Sequence, residues 1–150
     1  MTRTQPTQPA RPTQPAQPVD AAPRTPPPPL TMTGTVLDTP DPHALADFYR
    51  RLLGWEVTQD EPDWVKLNPP GGGPGLSFQA EPAFVRPHWP ATPGEQQMML
   101  HLDIETPDLA ASVAHARALG ATLPDFQPQP DVRVLLDPAG HPFCLWTPTP

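Results

Sequence analysis

The side chains best suited to chemistry in this sequence are those of His101, Asp103 and Cys144. His101 and Asp103 alternate with apolar residues over 100–105, so both should lie on one face of a β-strand. Cys144 is the only cysteine. Next to an imidazole it would be a thiolate nucleophile, whereas a lone cysteine in a terminal strand is more often a small buried apolar residue. Asp103 or Glu105 beside His101 would act as a general base, or would be an ordinary charge on an exposed sheet face.

The segment that carries His101 is predicted to be a strand followed by a helix, and the same pattern occurs earlier in the chain. Thr106-Pro107 starts the helix, with Thr106 as its cap, and Gly120 ends it. Thr39-Pro40-Asp41 matches Thr106-Pro107-Asp108 at an offset of 67 residues, which indicates two copies of one strand–helix–strands unit. The predicted helices are 42–53 and 107–119, and the predicted strands are 32–38, 55–57, 64–67 and 76–79 in the first copy and 98–104, 121–123, 131–136 and 142–146 in the second.

Composition divides the chain at about residue 31. Residues 1–31 contain ten of the 28 prolines and almost no residues that could be buried, which predicts a disordered Pro-rich tail. The tail would be a spacer or a ligand for a proline-binding module. Residues 32–148 are predicted to form one domain, with modules at about 32–80 and 98–148 and a proline-rich linker at 81–97.

Charge and cysteine content exclude several kinds of partner. The tail has a net charge of +2, so the net charge of −7 leaves −9 on the remainder, which argues against nucleic acid. No stretch is long and apolar enough to span a membrane. A single cysteine cannot form an internal disulfide, so we expect a cytoplasmic protein.

The motifs of both copies together resemble the vicinal oxygen chelate superfamily, which includes glyoxalase I, bleomycin-resistance proteins and extradiol dioxygenases. The match covers about residues 32–148 and is closest to the glyoxalase-like group. The resemblance implies an α+β fold in which two βαβββ modules form a cupped mixed sheet with helices on its outer face. The modules would pair within one chain or between two chains, and we expect a homodimer. The motifs that carry the match are Thr39-Pro40-Asp41, Phe48-Tyr49, Leu53-Gly54-Trp55, the segment from His101 to Asp108, Leu119-Gly120 and Asp137-Pro-Ala-Gly-His-Pro-Phe-Cys-Leu145.

The resemblance also implies where a metal ion would bind. Metal-binding members carry ligands at positions that correspond here to Gly34, Ser77, His101 and Cys144, and only His101 is a residue type that the pattern requires. A catalytic divalent metal usually needs about three ligands from histidines and carboxylates. We therefore predict no metal ion and no other cofactor, with a metal site assisted by Asp103 as the alternative.

Strand alternation predicts the residues that would line the cup. Lys66 and Arg133 occupy equivalent positions at the same offset of 67, opposite the apolar face of each third strand. In the cup they would bind an acidic group, whereas at its rim they would be solvated. The predicted ligand-binding residues are Trp64, Lys66, Gln79, His101, Arg133 and Trp146, and the catalytic candidates are His101, Asp103 and Cys144.

These residues lead to three hypotheses about function. The first is binding or sequestration of a small acidic or aromatic organic molecule in the cup, without the metal centre of the family. The second is a metal-dependent lyase, isomerase or dioxygenase with displaced ligands. The third is an interaction module whose cup is filled by side chains. Whether the protein is an enzyme is left open by the sequence.

Overall fold

The computed structural model describes residues 28–148. Most of the predicted disordered Pro-rich tail, residues 1–27, lies outside the described residues. Within the described part, neither helix has the length and apolar character that crossing a membrane requires.

The first module contains one helix packed on a four-stranded sheet. Its elements are β1 Gly34–Thr39, α1 Pro42–Leu53, β2 Glu56–Glu61, β3 Trp64–Asn68 and β4 Gly75–Ala80. The strands follow the order β1-β4-β3-β2, with β1 parallel to β4. Asp41 caps α1 by accepting a hydrogen bond from the Ala44 backbone N–H, and Gly54 ends it in the left-handed conformation (φ 69°).

The second module repeats this arrangement with fewer strands. Its elements are β5 Leu102–Glu105, α2 Leu109–Ala118, β6 Val132–Leu136 and β7 Pro142–Trp146, in the strand order β5-β7-β6. The prediction of an α+β fold with two modules is confirmed. The strand predicted at 121–123 is reduced to a single bridge between Thr122 and Leu136, and the strand predicted at 98–104 begins only at Leu102.

The predicted cap of α2 is wrong by two residues. Asp108, not Thr106, accepts a hydrogen bond from the Ala111 backbone N–H at 2.9 Å. The Thr106 hydroxyl instead accepts from the Asp108 backbone N–H and contacts the Ser112 hydroxyl at 2.6 Å. Because Asp108 has the extended backbone of a cap residue, the helix begins after it.

The two modules differ by one residue in the register between their last two strands, β3 and β4 in the first module and β6 and β7 in the second. In the first module Lys66 pairs with Ser77, whereas in the second Cys144 pairs with Val134. The connection from β6 to β7 is one residue shorter than that from β3 to β4. A shift of one residue moves every side chain of a strand to the opposite face. The predicted equivalence of Lys66 and Arg133 is therefore wrong, since Arg133 pairs with Leu145 on the helix side of its sheet.

The helix-facing sides of both sheets contribute to one hydrophobic core. Phe48 and Tyr49 on α1 lie with their ring centroids 6.0 and 6.2 Å from that of Phe143 on β7. Tyr49 also stacks on Phe78 of β4 at 5.5 Å. Contacts between aromatic rings from both modules thus fix the modules against each other. The other core residues include Leu37, Leu45, Val65, Leu67, Leu76, Ala116, Leu135 and Leu145.

A glutamine side chain occupies the open edge of β6. The Gln127 amide donates to the Val134 carbonyl at 3.0 Å and accepts from the Val134 N–H at 2.9 Å. The same amide donates to the Pro124 carbonyl at 2.9 Å. One side chain therefore satisfies backbone groups that a further strand would otherwise bind.

Candidate functional site

His101, Asp103 and Cys144 lie together on the face of the β5-β7-β6 sheet that is turned away from the core. Asp103 and Cys144 are directly paired across β5 and β7, and His101 immediately precedes β5. The His101 Nε2 lies 3.3 Å from the Asp103 Oδ1. One ligand atom from each of the three side chains lies within 4.8 Å of the other two. Pairing of the strands thus brings together the three catalytic candidates of the sequence.

The thiol of this cluster is held in its protonated form. Burial, followed by the charge and the hydrogen bond of Asp103, raises the pKa of Cys144 from 9.0 to about 11. The thiol and the imidazole both lie against the Asp103 carboxylate. A resting thiolate paired with an imidazolium is therefore not expected at neutral pH.

The cluster forms the floor of a cavity of about 350 Å³. Trp146 supplies an aromatic wall, and the segment before β6 supplies polar groups. Asp103 and Asp131 place two carboxylates in the cavity, and its lining among residues 28–148 includes neither lysine nor arginine. The lining therefore gives the cavity a negative electrostatic potential. The lining residues are His101, Asp103, Gln129, Asp131, Val132, Cys144, Trp146 and Thr147.

Arg133 does not lie in this cavity. Its guanidinium donates to the carbonyls of Gln129, Pro130 and Val132 at 3.3, 2.9 and 2.8 Å. Its side chain lines a separate surface depression next to α2. The guanidinium of Arg133, which was predicted to bind an acidic ligand, instead binds backbone carbonyls in and next to the loop before β6.

The predicted ligand-binding residues of the first module lie on another sheet. Trp64 pairs with Gln79, and Lys66 pairs with the buried Ser77, on the face of the β1-β4-β3-β2 sheet opposite α1. The Trp64 indole donates to the Gln59 side chain at 3.3 Å. Among four cavities along residues 28–148, none contains Trp64, Lys66 or Gln79 together with His101 or Trp146. Within one chain, the predicted ligand-binding residues of the first module and those of the second module therefore form separate surfaces.

A steric constraint explains why Gly34, at the first ligand position of the family, carries no side chain. A Cβ atom on Gly34 would lie 2.8 Å from the carbonyl oxygen of Gly75, closer than such atoms approach. No ligating side chain fits there without a shift of β1 from β4. Ser77, at the second position, is buried between neighbouring strands.

The donors that remain nevertheless suit a metal ion. His101, Asp103 and Cys144 supply nitrogen, oxygen and sulfur ligands from adjacent strands. Three such ligands with an open fourth position are typical of catalytic zinc sites. Zn²⁺ would replace the thiol proton and would meet both other side chains at the floor of the cavity.

The sequence reasoning missed a second polar cluster at the turn between β6 and β7. Asp137 is 1 % exposed, and its carboxylate accepts hydrogen bonds from the Tyr49 hydroxyl at 3.0 Å and from the His141 Nδ1 at 2.9 Å. Tyr49 and His141 belong to motifs that carry the family resemblance, but the sequence assigns neither of them to a polar site. A tyrosine in an apolar stripe and an Asp-Pro-Ala-Gly-His turn were the available signals, but they lie 88 residues apart.

Comparison with known proteins agrees with this architecture. A family model described as a glyoxalase-like domain matches residues 34–146. The chain belongs to the glyoxalase-like domain family. This assignment and the structural neighbours confirm the resemblance to the vicinal oxygen chelate superfamily. Among curated proteins none matches the chain.

Several solved structures share the fold of this glyoxalase-like protein. One is a glyoxalase/bleomycin resistance protein/dioxygenase family enzyme from Burkholderia phytofirmans, with 18 % identity and a TM-score of 0.63 over 79 % of this chain and 98 % of that one. Another is the fosfomycin resistance protein FosX from Mesorhizobium loti, with 10 % identity and a TM-score of 0.58 over 79 % and 92 %. The Listeria monocytogenes FosX, a mutant solved with Mn(II) and 1S,2S-dihydroxypropylphosphonic acid, has 12 % identity and a TM-score of 0.59 over 79 % and 90 %. At these identities the likeness concerns the fold.

Proposed function

We propose that this glyoxalase-like protein binds a small organic molecule with an aromatic or apolar body and no carboxylate. The binding site is the cavity whose floor is formed by His101, Asp103 and Cys144. The observation that carries the proposal is the combination of Trp146 with these three polar side chains in one cavity of about 350 Å³. Trp146 and Val132 supply the apolar surface of this cavity, and its other lining residues supply polar groups that could orient a ligand.

The absence of a negative group on the ligand follows from the charges. Asp103 and Asp131 both line the cavity, and the guanidinium of Arg133 is held by loop carbonyls outside it. Asp103 accepts a hydrogen bond from the thiol of Cys144 and lies next to the imidazole of His101. A ligand hydroxyl or carbonyl would exchange hydrogen bonds with this cluster while its ring packs on Trp146.

A screen of neutral, cationic and anionic aromatic fragments by NMR would test the proposal. We expect neutral or cationic fragments to shift the signals of the His101 imidazole and the Trp146 indole. Trp146→Ala should abolish the shift of the His101 signal, whereas Trp64→Ala, which removes an indole from the other sheet, is the matched control. Anionic fragments that bind at least as tightly, or fragments insensitive to Trp146→Ala, would contradict the proposal.

A metal-dependent lyase, isomerase or dioxygenase is the second candidate. It is favoured by the distance of at most 4.8 Å between the ligand atoms of His101, Asp103 and Cys144. Calorimetric titration with Zn²⁺ and spectroscopic titration with Co²⁺ would test it, since a bound thiolate gives cobalt a charge-transfer absorption. Stoichiometric binding lost in Cys144→Ser and His101→Ala, but kept in Asp131→Asn, would support this candidate. Weak binding that is equal in all variants would exclude it.

We also propose that the protein forms a homodimer. The predicted ligand-binding residues Trp64, Lys66 and Gln79 lie on the sheet of the first module. None of them lines the cavity that contains His101 and Trp146 of the second module. A second copy would supply the missing half of a cup. Light scattering after size-exclusion chromatography should give twice the monomer mass, and a monomer mass at micromolar concentration would refute this. A cytoplasmic location stays a prediction, which fractionation of expressing cells would test.

A further inference from the structure

The turn between β6 and β7 contains a buried carboxylate with four hydrogen bonds. The Oδ1 of Asp137 accepts from the backbone N–H groups of Gly140 at 2.8 Å and His141 at 2.9 Å. Its Oδ2 accepts from the Tyr49 hydroxyl at 3.0 Å and lies 2.9 Å from the His141 Nδ1. The Asp137 side chain is fully buried, and that of His141 is 15 % exposed. A carboxylate with this many donors around it is an acceptor only.

This arrangement determines which nitrogen of His141 carries the proton. Both oxygens of Asp137 are acceptors, so the Nδ1 of His141 must be the donor. Burial and the neighbouring Asp137 charge raise the pKa of Tyr49 well above its usual value, which keeps the phenol a donor as well. In neutral His141 the lone pair is therefore on Nε2. A buried carboxylate that accepts from one imidazole nitrogen leaves the other nitrogen of the neutral ring as a hydrogen-bond acceptor.

The other nitrogen of His141 is open to a cavity. Among residues 28–148 the one buried side-chain nitrogen or oxygen without a hydrogen-bond partner is the Trp89 Nε1. The Nε2 of His141 has no partner in the described residues either, so it must be accessible. His141 lines a cavity of about 290 Å³, and Phe84 from the 81–97 segment packs on the imidazole with centroids 5.6 Å apart. The apolar residues that line this cavity include Val36, Met98, Met99 and Leu100.

The charged groups of this cavity are acidic. Asp38 and Glu81 belong to its lining, which includes no lysine or arginine among the described residues. Arg86 lies close by, but its guanidinium donates to the Pro138 carbonyl at 2.7 Å. The cavity thus offers two carboxylates and one imidazole acceptor within apolar walls. A ligand that satisfies these groups is apolar and carries a donor with a positive charge.

We propose that the cavity at His141 is a second binding site, which takes a small apolar molecule carrying an ammonium group. The ammonium donates to the His141 Nε2 and is attracted by Asp38 and Glu81, while the apolar part lies along Met98 and Met99. This site shares no lining residue with the cavity at His101. It can therefore be confirmed or refuted independently of the first.

Three probes of one shape and different charge test this proposal on the full chain. These are 2-phenylethylamine, 2-phenylethanol and phenylacetate, followed by NMR of the histidine ring nitrogens. Affinities are measured from the broadening of the probes' own NMR signals, which also works in variants that lack His141. We expect the amine to bind most tightly and to shift the His141 signal of wild type. His141→Asn keeps an N–H donor towards Asp137 but lacks Nε2, and it should weaken binding of the amine by at least about tenfold. His115→Asn, on α2 and outside the cavity, is the control.

A second variant decides the question if His141→Asn fails to fold. Met99 is 86 % exposed, so Met99→Arg adds a positive charge to the lining at little structural cost. It should weaken amine binding at least about tenfold and strengthen that of phenylacetate. The proposal is overturned if phenylacetate binds wild type as tightly as the amine. It is also overturned if the amine shows no millimolar binding, if it shifts His101 and not His141, or if neither folded variant changes its affinity.

Discussion

Replacing Asp103 by Asn should lower the pKa of Cys144 and make its thiol more reactive. That pKa is raised from 9.0 to about 11, first by burial and then by the charge and hydrogen bond of Asp103. At pH 8 a thiol with a pKa of about 11 is about 0.1 % thiolate, and one with a pKa of about 9 is about 9 % thiolate. The largest possible effect is thus about 100-fold. Because the burial remains in D103N, we expect a smaller rise in the thiolate fraction, about tenfold.

Alkylation by iodoacetamide measures this effect directly. Cys144 is the only cysteine, so every adduct seen in the intact mass reports on it. The midpoint of the rate against pH should lie near 11 in wild type and about one unit lower in D103N. D131N is the control, since Asp131 lines the same cavity but is not among the causes of the raised pKa. A wild-type midpoint near 9, or equal midpoints in D103N and D131N, would refute the reasoning.

Thermal unfolding tests three further features of the fold. Asp137→Ala leaves four donors without their acceptor and should cost about 3–5 kcal/mol, about 10–20 °C in Tm, while Tyr49→Phe should cost about 1 kcal/mol. Equal losses would contradict this. The pKa of Tyr49 is higher in the folded protein than in the unfolded chain, where it is about 10. The folded state therefore loses stability as the pH rises above about 10, because only the unfolded tyrosine then ionises. Tyr49→Phe should lose less stability than wild type over this pH range. Gly34→Ala should cost about 1–3 kcal/mol through its clash with Gly75, and a neutral effect would show that β1 can shift. Asp108→Ala should cost about 1 kcal/mol as the loss of a helix cap, and an unchanged Tm would exclude that role.

The helices and most of the strands could be predicted from the sequence because the signals are local. The apolar stripe of α1 and its terminal Gly54 predicted Pro42–Leu53 with the bounds that the structure has. The pairing of Asp103 with Cys144 also agrees with the offset that relates the modules, since Val36 pairs with Ser77. The three catalytic candidates were therefore brought together as the repeat implied.

The register of β6 could not be predicted, and with it the position of Arg133. The offset of 67 residues holds for β7 but fails for β6, because one residue fewer connects the two strands. The register expected from the offset and the observed register both leave apolar residues of β6 on each face of the sheet. The hydrophobic pattern alone therefore does not choose between the two registers. Asp137, Tyr49 and His141 were missed for another reason. The contact between Tyr49 and Asp137 joins residues 88 positions apart, and nothing in the local Asp137–His141 turn indicates that its carboxylate is buried.

The side-chain amide of Gln127 restricts how copies of this protein can assemble. A bare strand edge invites continuous growth of a sheet from molecule to molecule, as in fibrils. With Val134 already engaged on both its N–H and its carbonyl, growth past β6 would first have to remove that amide. Pairing of copies along this edge of β6 is therefore disfavoured, and a Gln127→Ala variant would free the Val134 N–H and carbonyl for such pairing.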